Sequence, residues 1–575
     1  MGAREDFNEI WHIDFEYQQD GGESPHPLCF VACEQNSGRK VRLFGDDLTS
    51  ISAPPFSVDD DALIVAYYAP AELRCFIKLG WPLPRHILDL FVEFRCCTNG
   101  IQLAHGKGLL GALSYFGLDC MGAVEKQTMR ELALRGGPYT ATEQRDLLDY
   151  CERDVDALTV LFEVMQPFID FTRALVRGSY MAAVARMEAV GVPIDVPTFE
   201  KLNDRWEILK MELLKRGDHH GLWIDGRFSA QRFAEFVEQR GIRWPRTRKS
   251  NAYRLDDDTM KAMSQSYPEV NTIRELRHTL SQLRLHRLEV GQDGRNRCML
   301  SPFASKTGRN QPSNSRFIFG PSVWIRHLIK PSEGRALAYI DWGQQEFGIA
   351  AALSGDNAML EAYQSGDPYL KFAMQAGAVP ADATKQSHPV ERSRFKACAL
   401  GVLYGMGAHS LATRLNVGFG TAKHLLTLHR QTYRRYWRWQ EDVIDAALFG
   451  IPMKTVFGWT YHPPLENPNV KSIGNFPMQA NGAEMLRIAC YLATEAGITI
   501  CAPIHDAVLI EDEIVAIDST AAKMQAYMAE ASRIVLQDLT LRTDAEIIRY
   551  PDRYSDERGT EMWKNVMAIL DGLPD

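Results

Sequence analysis

An apolar run that ends in an aspartate, Ala338-Tyr339-Ile340-Asp341, constrains this chain more than any bulk property does. It continues as WGQQEFGIAAALSG, so a second acid, Glu346, stands five residues on, at the mouth of an Ala-rich helical run. A charge carried into apolar surroundings costs several kcal/mol unless something compensates it. The compensators open to Asp341 are a metal ion, a basic partner or solvent. At 575 residues the chain is too long for one core and suggests three or four compact units. With hydrophobic residues at 45% and charged ones at 24%, it has the make-up of a globular protein.

Nothing approaches eighteen consecutive apolar residues, which argues against a membrane span. The start MGAREDFNEIWHIDF lacks the apolar core of a secretory signal. Eleven cysteines are scattered with no CxxC pair, and His26, Cys29 and Cys33 lack an obvious fourth ligand, so reduced thiols in a cytoplasmic setting are expected. A net charge of −9 gives no global hint of a polyanionic partner, which would have to be met by local basic patches.

Three regions differ in texture. Residues 1 to about 170 alternate β-like runs (WHIDFEY, PLCFVAC, ALIVAYYA) with helical patterns, which reads as α/β. Residues 171–300 are helical and heavily charged. There Arg274, Arg277, Arg284 and Arg287 lie along one predicted helix, either as a solvated face or as a track for phosphates. From 301 onward strands and long helices mix again, with aromatic-basic clusters such as YRRYWRWQ. The stretch GIQLAHGKG is no phosphate loop, because five residues rather than four separate its glycines and Gly follows Lys107.

Four pieces of the C-terminal region belong together. Beside Asp341 stands CAPIHDAVLIE, in which His505-Asp506 separates two apolar arms, the pattern of a hairpin whose turn carries the acid. In RSRFKACALGVLYGMG, Arg392, Lys396, Leu400 and Tyr404 repeat every four residues, so one helix face carries two cations, an apolar residue and an aromatic one. In KSIGNFPMQANGAEMLR the polar residues Lys471, Asn475 and Gln479 share that spacing, and Pro477 predicts a helix starting about there.

In this order the pieces resemble the motifs of family A DNA polymerases, the bacterial polymerase I class. DWGQQEFG resembles motif A (usually DYSQIELR), the Arg392/Lys396/Leu400/Tyr404 helix motif B, IHDAV motif C, and SKTGRNQPSN the TGR segment ahead of the palm. The resemblance implies two Mg²⁺ ions on Asp341 and Asp506, with Arg392 and Lys396 facing the triphosphate and Lys396 able to protonate the leaving pyrophosphate. It places Leu400, Tyr404 and His505 at the nucleotide, and Glu346 against the sugar 2′ position. Arg309, Lys471, Asn475 and Gln479 would meet primer-template DNA, where minor-groove contacts test pair shape without reading sequence. Leu400, Gly348 and Ala507 depart from the usual Phe or Tyr, Arg and Glu.

At the N-terminus, IWHIDFEYQ sets Asp14 and Glu16 two apart on one strand face, and YCERDVDAL sets Tyr150 and Asp154 one helical turn apart. Ahead of a polymerase they resemble a DEDDy 3′–5′ exonuclease, in which such acids bind two Mg²⁺ or Mn²⁺ ions and the tyrosine orients water. Tyr68 and Glu72 fall where an Asn-x-x-x-Asp element belongs, so Glu72 is expected to complete the metal site, with Asp89 as the fallback.

The expected fold class is α/β and multidomain. An RNase H-like exonuclease domain (1–170) precedes a right-hand polymerase with a helical thumb (171–300) and palm and fingers (301–575, fingers about 360–455). Expected partners are primer-template DNA, dNTPs and replication accessory proteins, with no membrane; a bacteriophage-type monomer working in the cytoplasm fits this layout. A polymerase with an inactive exonuclease domain, a single-subunit RNA polymerase, and a catalytically dead DNA-binding module are the competing readings.

Overall fold

The computed structural model describes residues 7–118, 123–247, 250–264, 267–281, 288–320, 322–537 and 539–573. They form two compact units, each assembled from separated parts of the chain. One unit takes Met1–Gly191, Met299–Gln311 and Ala336–Ile547; the other takes Val192–Cys298, Pro312–Arg335 and Ile548–Asp575.

The first unit begins with a mixed five-stranded sheet. Strand β1 (Glu9–Gln18) buries Ile10, Trp11, Ile13 and Phe15 and leaves Asp14 and Glu16 half-buried on one face, as period-two alternation requires. Antiparallel to it runs β2 (His26–Glu34), followed by β3 (Lys40–Phe44); on its other side β4 (Ala62–Ala66) and β5 (His86–Asp89) run parallel, giving the order β3-β2-β1-β4-β5. The helices α1 (Pro70–Leu79), α2 (Leu90–Thr98) and α3 (Ala141–Met165) flank it. Helix α3 starts at a capping box in which Thr140 and Glu143 satisfy each other's backbone N–H groups.

Helix α4 (Phe171–Val190) corrects a boundary expected at residue 170. It lies on β5 so closely that a Cβ at Gly178 would stand 1.8 Å from the Ile87 carbonyl oxygen. That contact makes α4 part of the first unit, and the chain leaves it at Gly191.

The C-terminal part of this unit is built on a second sheet. Its strands are β6 (Arg335–Trp342), β7 (Ile500–Ile504), β8 (Ala507–Glu513) and β9 (Thr543–Arg549), in the order β7-β8-β6-β9. Helices α5 (Gln345–Ser354), α6 (Pro368–Gln375), α7 (Pro389–Leu403), α8 (Arg434–Leu448), α9 (Val470–Glu495) and α10 (Ile517–Val535) complete it.

Helix α9 overturns the expected start near Pro477: it begins at Val470, where the Asn469 side chain accepts from the Ser472 N–H, and runs through the proline. Proline inside a helix removes one hydrogen bond. Burial of eighteen α9 residues, Pro477 among them, outweighs that local preference. YRRYWRWQ divides by face. Tyr433 and Tyr436 are fully buried and ring-packed on His429, with Phe372 also against Tyr433, whereas Arg434, Arg435 and Arg438 are exposed.

Buried polar contacts join the two halves of this unit. Arg177 grips Glu93 through two hydrogen bonds of 2.7 Å and reaches the Phe457 carbonyl, while Arg95 donates to the carbonyls of Phe303 and Ala304. Asn99 donates to the carbonyls of Lys306 and Thr460. Removing one partner of such a buried pair strands the other, so these contacts fix the 303–309 loop.

In the second unit, Phe233, Phe236, Val237, Trp244 and Ile273 form a core, and the C-terminal helix Glu557–Asp571 packs on residues Val323–Leu328. A Cβ at Gly559 would meet Trp324 backbone atoms at 2.6 Å, so this approach needs glycine. The arginine run is spoken for where it is described: Arg274 pairs with Asp257, and Arg277 donates to the Leu255 carbonyl while covering the Phe228 ring. Arg284 and Arg287 lie outside the described residues. Among the described residues no helix is long and apolar enough to cross a membrane.

Candidate active sites

The C-terminal sheet brings the two motif aspartates to one edge. Asp341 is the penultimate residue of β6. The hairpin β7–β8 turns on two residues, His505 and Asp506, with Ile504 opposite Ala507 and His505 at φ 54. The Trp342 N–H donates to the Asp506 carbonyl at 3.3 Å, which fixes the turn beside the end of β6. Asp341 is half-buried, and its carboxyl is pushed above the ordinary aspartate range by burial first, then by the negative charges of Asp506 and Asp544.

Asp544 was not foreseen from the sequence. It stands at the start of β9, next to β6 in the sheet, and the Gly343 N–H donates to the Arg542 carbonyl at 2.9 Å. Tyr363 ties this corner, donating its hydroxyl hydrogen to the Gly343 carbonyl and accepting the Arg542 N–H. Tyr363 also explains Gly348. A Cβ there would lie 2.5 Å from Leu541 Cδ2 and 3.1 Å from the Tyr363 ring, leaving no room for a long side chain.

Helix α7 carries the cationic face. Arg392 and Lys396 both stand over the ring of Tyr369, at 5.9 and 5.8 Å from its centre, and Arg392 donates its Nε–H to Asp367. Burial pushes the Tyr369 hydroxyl up to about 12, the neighbouring Arg392 pulling the other way. Lys396 is exposed and Leu400 half-buried on the same helix. Tyr404 caps the helix C-terminus and hydrogen-bonds Glu346; its hydroxyl is held well above the ordinary tyrosine range by burial and by Glu346, with Asp506 adding to the shift. Arg309 Nη2 comes within 3.8 Å of Glu346. Cations, Glu346, Tyr404, Arg309 and the acidic sheet edge thus form one neighbourhood. Tyr369 and Asp367, its connectors, gave no signal in the sequence.

Lys471 is exposed at the first turn of α9, and Asn475 and Gln479 follow half-buried on the same helix. A Cβ at Gly405 would lie 3.0 Å from Lys471 Cγ, so the end of motif B rests on the start of this polar row.

In the N-terminal sheet, ligand oxygens of Asp14, Glu16 and Asp154 all lie within 4.8 Å of one another. Strand β1 supplies two and α3 the third. Tyr150, one turn before Asp154, hydrogen-bonds it, and burial followed by the Asp154 charge raises its hydroxyl pKa far above the ordinary value. Three hard oxygen donors and no sulfur or imidazole suit Mg²⁺ or Mn²⁺.

Glu72 differs from the expectation placed on it. It is buried on α1, outside that trio, and its Oε2 accepts the Phe15 N–H at 2.8 Å. Burial, then the Asp14 charge, push its carboxyl well above the ordinary range. Asp89, the fallback, is the N-cap of α2: its two oxygens accept the N–H groups of Tyr68, Ala69, Phe91 and Val92. Tyr68 adopts φ 75, which a non-glycine residue rarely does, and among the described residues its buried hydroxyl has no hydrogen-bond partner.

Comparison with known proteins bears on the C-terminal site. The sequence profile of DNA polymerase family A matches residues 229–549, more than half of the chain. The thermostable DNA polymerase I of Thermus thermophilus is 26% identical over 415 residues, which is 67% of this chain and 48% of that protein. The DNA polymerase of Mycobacterium phage D29 is 26% identical over 268 residues, 44% of this chain and 42% of the phage protein. The chain therefore spans about half the length of these curated relatives. Among solved structures, the POL domain of Pol1 from M. smegmatis, in complex with DNA primer-template and dNTP, superposes with a TM-score of 0.69 over 96% of each chain at 18% identity, a likeness of fold. The profile match, spanning motifs A, B and C of the site just described, makes this chain a member of DNA polymerase family A.

Proposed function

We propose that this protein extends DNA primers on a DNA template by nucleotidyl transfer and trims 3′ ends at its N-terminal carboxylate trio. The carrying observation is the neighbourhood of Asp341, Asp506, Glu346, Tyr404 and the Arg392/Lys396 face, reached from three separate stretches of sequence. Two divalent ions of the Mg²⁺ class, when bound, would neutralise charge on the attacking and leaving oxygens. In this proposal Asp341 and Asp506 hold them, and the Lys396 ammonium donates a proton to the leaving pyrophosphate. Arg392 faces the triphosphate, and Glu346, held by Tyr404, occupies the space a 2′-hydroxyl needs. Leu400 and His505 border the sugar and primer end, while Arg309, Lys471, Asn475 and Gln479 meet primer-template DNA. At the trimming site Asp14, Glu16 and Asp154 hold the ions, and Tyr150 orients the attacking water.

Glu72 acts here as a brace beneath β1, accepting the Phe15 N–H, rather than as a ligand. The tight trio supports trimming over an inert domain. Three carboxylates this close gather negative charge that a divalent ion would offset, whereas Asp89, the structural carboxylate nearby, gives both oxygens to backbone N–H groups. A role in phage replication in the host cytoplasm, with accessory proteins and as a monomer, belongs to the same proposal; the likeness to a phage polymerase supports it. Primer extension with dNTPs against rNTPs, run beside degradation of single-stranded DNA, tests both activities. Extension with dNTPs that needs Asp341, and trimming that needs Asp14, are the expected results. Preference for rNTPs, or DNA binding without extension, would refute the polymerase reading.

A further inference from the structure

Arg392 is held in an unusual way for a residue that is to meet a triphosphate. Its Nε–H is given to Asp367, while among the described residues neither Nη group makes a hydrogen bond. The guanidinium lies above Tyr369, a ring that is only 4% exposed and that also carries Lys396. Asp367 is itself fixed. It is the N-cap of α6, its Oδ1 accepts the Leu370 N–H at 3.2 Å, and Pro368 sets the first helical residue. The positive end of a helix favours a carboxylate there. A fixed acid thus grips a long, flexible base by its inner nitrogen. A guanidinium so gripped keeps its outer fork, the part that matches phosphate oxygens two at a time.

Resting on the nucleotide-site reading above, we infer that Asp367 is a positioning residue for nucleotide phosphates: it anchors Arg392 through Nε on the Tyr369 ring and so aims both Nη groups at the incoming triphosphate. The pair is not a stand-in for the nucleotide. A competitor would occupy the outer fork, and Asp367 takes the one donor that the fork does not use. Holding the side chain in place before binding removes the ordering cost that a free arginine meets on contact with its ligand. Tyr369 belongs to the same device, because its ring lies under both cations.

Asn at position 367 separates this role from the structural one, since Asn caps a helix about as well as Asp but carries no charge to hold Arg392. The measurements are KM and kcat for one dNTP on a primer-template, inhibition by inorganic tripolyphosphate, primer-template Kd and thermal unfolding, for wild type, D367N, D367E and R392A. D367N should raise KM for dNTP about tenfold, the scale of one charge-assisted hydrogen bond. It should weaken tripolyphosphate inhibition by the same factor, with primer-template Kd and Tm unchanged. D367E, which keeps the charge, should recover part of the loss. Unchanged or lowered KM in D367N, or a KM rise matched by equal losses of DNA affinity or Tm, would overturn the inference while leaving the nucleotide site intact. R392A with unchanged KM and tripolyphosphate inhibition would overturn the nucleotide-site reading itself.

Discussion

In the N-terminal sheet, oxygens of Asp14, Glu16 and Asp154 lie within 4.8 Å of one another, whereas Asp341, Asp506 and Asp544 come from a strand end, a hairpin turn and a neighbouring strand and form no such trio. The first set is made by short-range chain geometry, two residues of one strand face and one helix packed against it. The second depends on sheet order and on two backbone links, Trp342 N–H to Asp506 O and Gly343 N–H to Arg542 O. The difference teaches where each site is vulnerable. The tight trio is lost through its own side chains, while the wide set can also be loosened through the loops that hold its strands in register.

The strongest way to break the comparison is to remove one acid from each set. Asp341→Asn or Asp506→Asn should lower extension by a factor of about 10³ or more, since a ligand of a charge-neutralising site is lost. Trimming of single-stranded DNA should persist in both. Asp14→Ala should do the reverse. Both sites lie in one compact unit, joined by the hydrogen bonds of Arg177 to the Phe457 carbonyl and of Asn99 to the Thr460 carbonyl, so the independence is a real test. Extension lost in Asp14→Ala would mean that the two sites are coupled through that joint.

Glu72 sharpens the contrast at the next level of effect. If Glu72 is a brace that accepts the Phe15 N–H, its carboxyl is needed for shape and not for charge. A displacement of β1 by about 1 Å between Asp14 and Glu16 can cost about 10²-fold in rate. Glu72→Ala should therefore reduce trimming by about that factor, while Glu72→Gln, which keeps an acceptor oxygen, should stay within a few-fold of wild type. Equal damage from both variants would restore Glu72 as a metal ligand and widen the trio to four.

A smaller effect is expected at the sugar. Glu346→Ala opens the space beside Tyr404 and should raise ribonucleotide incorporation about tenfold relative to dNTP, the scale of one steric or hydrogen-bonding discrimination. Leu400→Phe should alter the ratio of deoxy- to dideoxynucleotide use. Single-turnover selectivity ratios read both, and unchanged ratios would move the nucleotide pocket away from α7.

How much of this was legible follows the same division. The hairpin around His505-Asp506, the strand ending at Asp341, and the face shared by Asp14 and Glu16 were all written in short-range patterns, and each stands in the structure. Asp544 was invisible because TDAEIIR carries no motif; only the placing of β9 beside β6 gives it a role. Asp367 and Tyr369 were missed because DPYLK reads as a helix start, which it is, and nothing local shows which side chain it will face. Pro477 misled because propensity was weighed without the burial that carries α9 through it. The boundary at 170 failed for a related reason: the tight approach of Gly178 to Ile87 is a tertiary fact.

The smallest expected effect concerns pH, and it tests whether Asp544 belongs to the wide set. Burial and two negative neighbours raise the Asp341 carboxyl above the ordinary aspartate range, so it keeps its proton to a higher pH than a free aspartate does. Protons and divalent cations compete for the same oxygens, so the Mg²⁺ needed for half-maximal extension should climb as pH falls through that raised value. Asp544→Asn removes one negative neighbour and lowers the Asp341 pKa, which should move the acid limb of extension to lower pH by less than a unit. At higher pH the variant should need about two- to threefold more Mg²⁺, because the local field that attracts cations is weaker. Stability carries the same sign. The folded chain binds this proton more tightly than the unfolded chain, so without divalent ions stability falls as pH rises through the Asp341 value. Asp341→Asn should for that reason unfold at a slightly higher temperature than wild type at neutral pH in the presence of a chelator. An acid limb that stays in place or moves upward in Asp544→Asn would detach Asp544 from the site and leave Asp341 and Asp506 as its two acids.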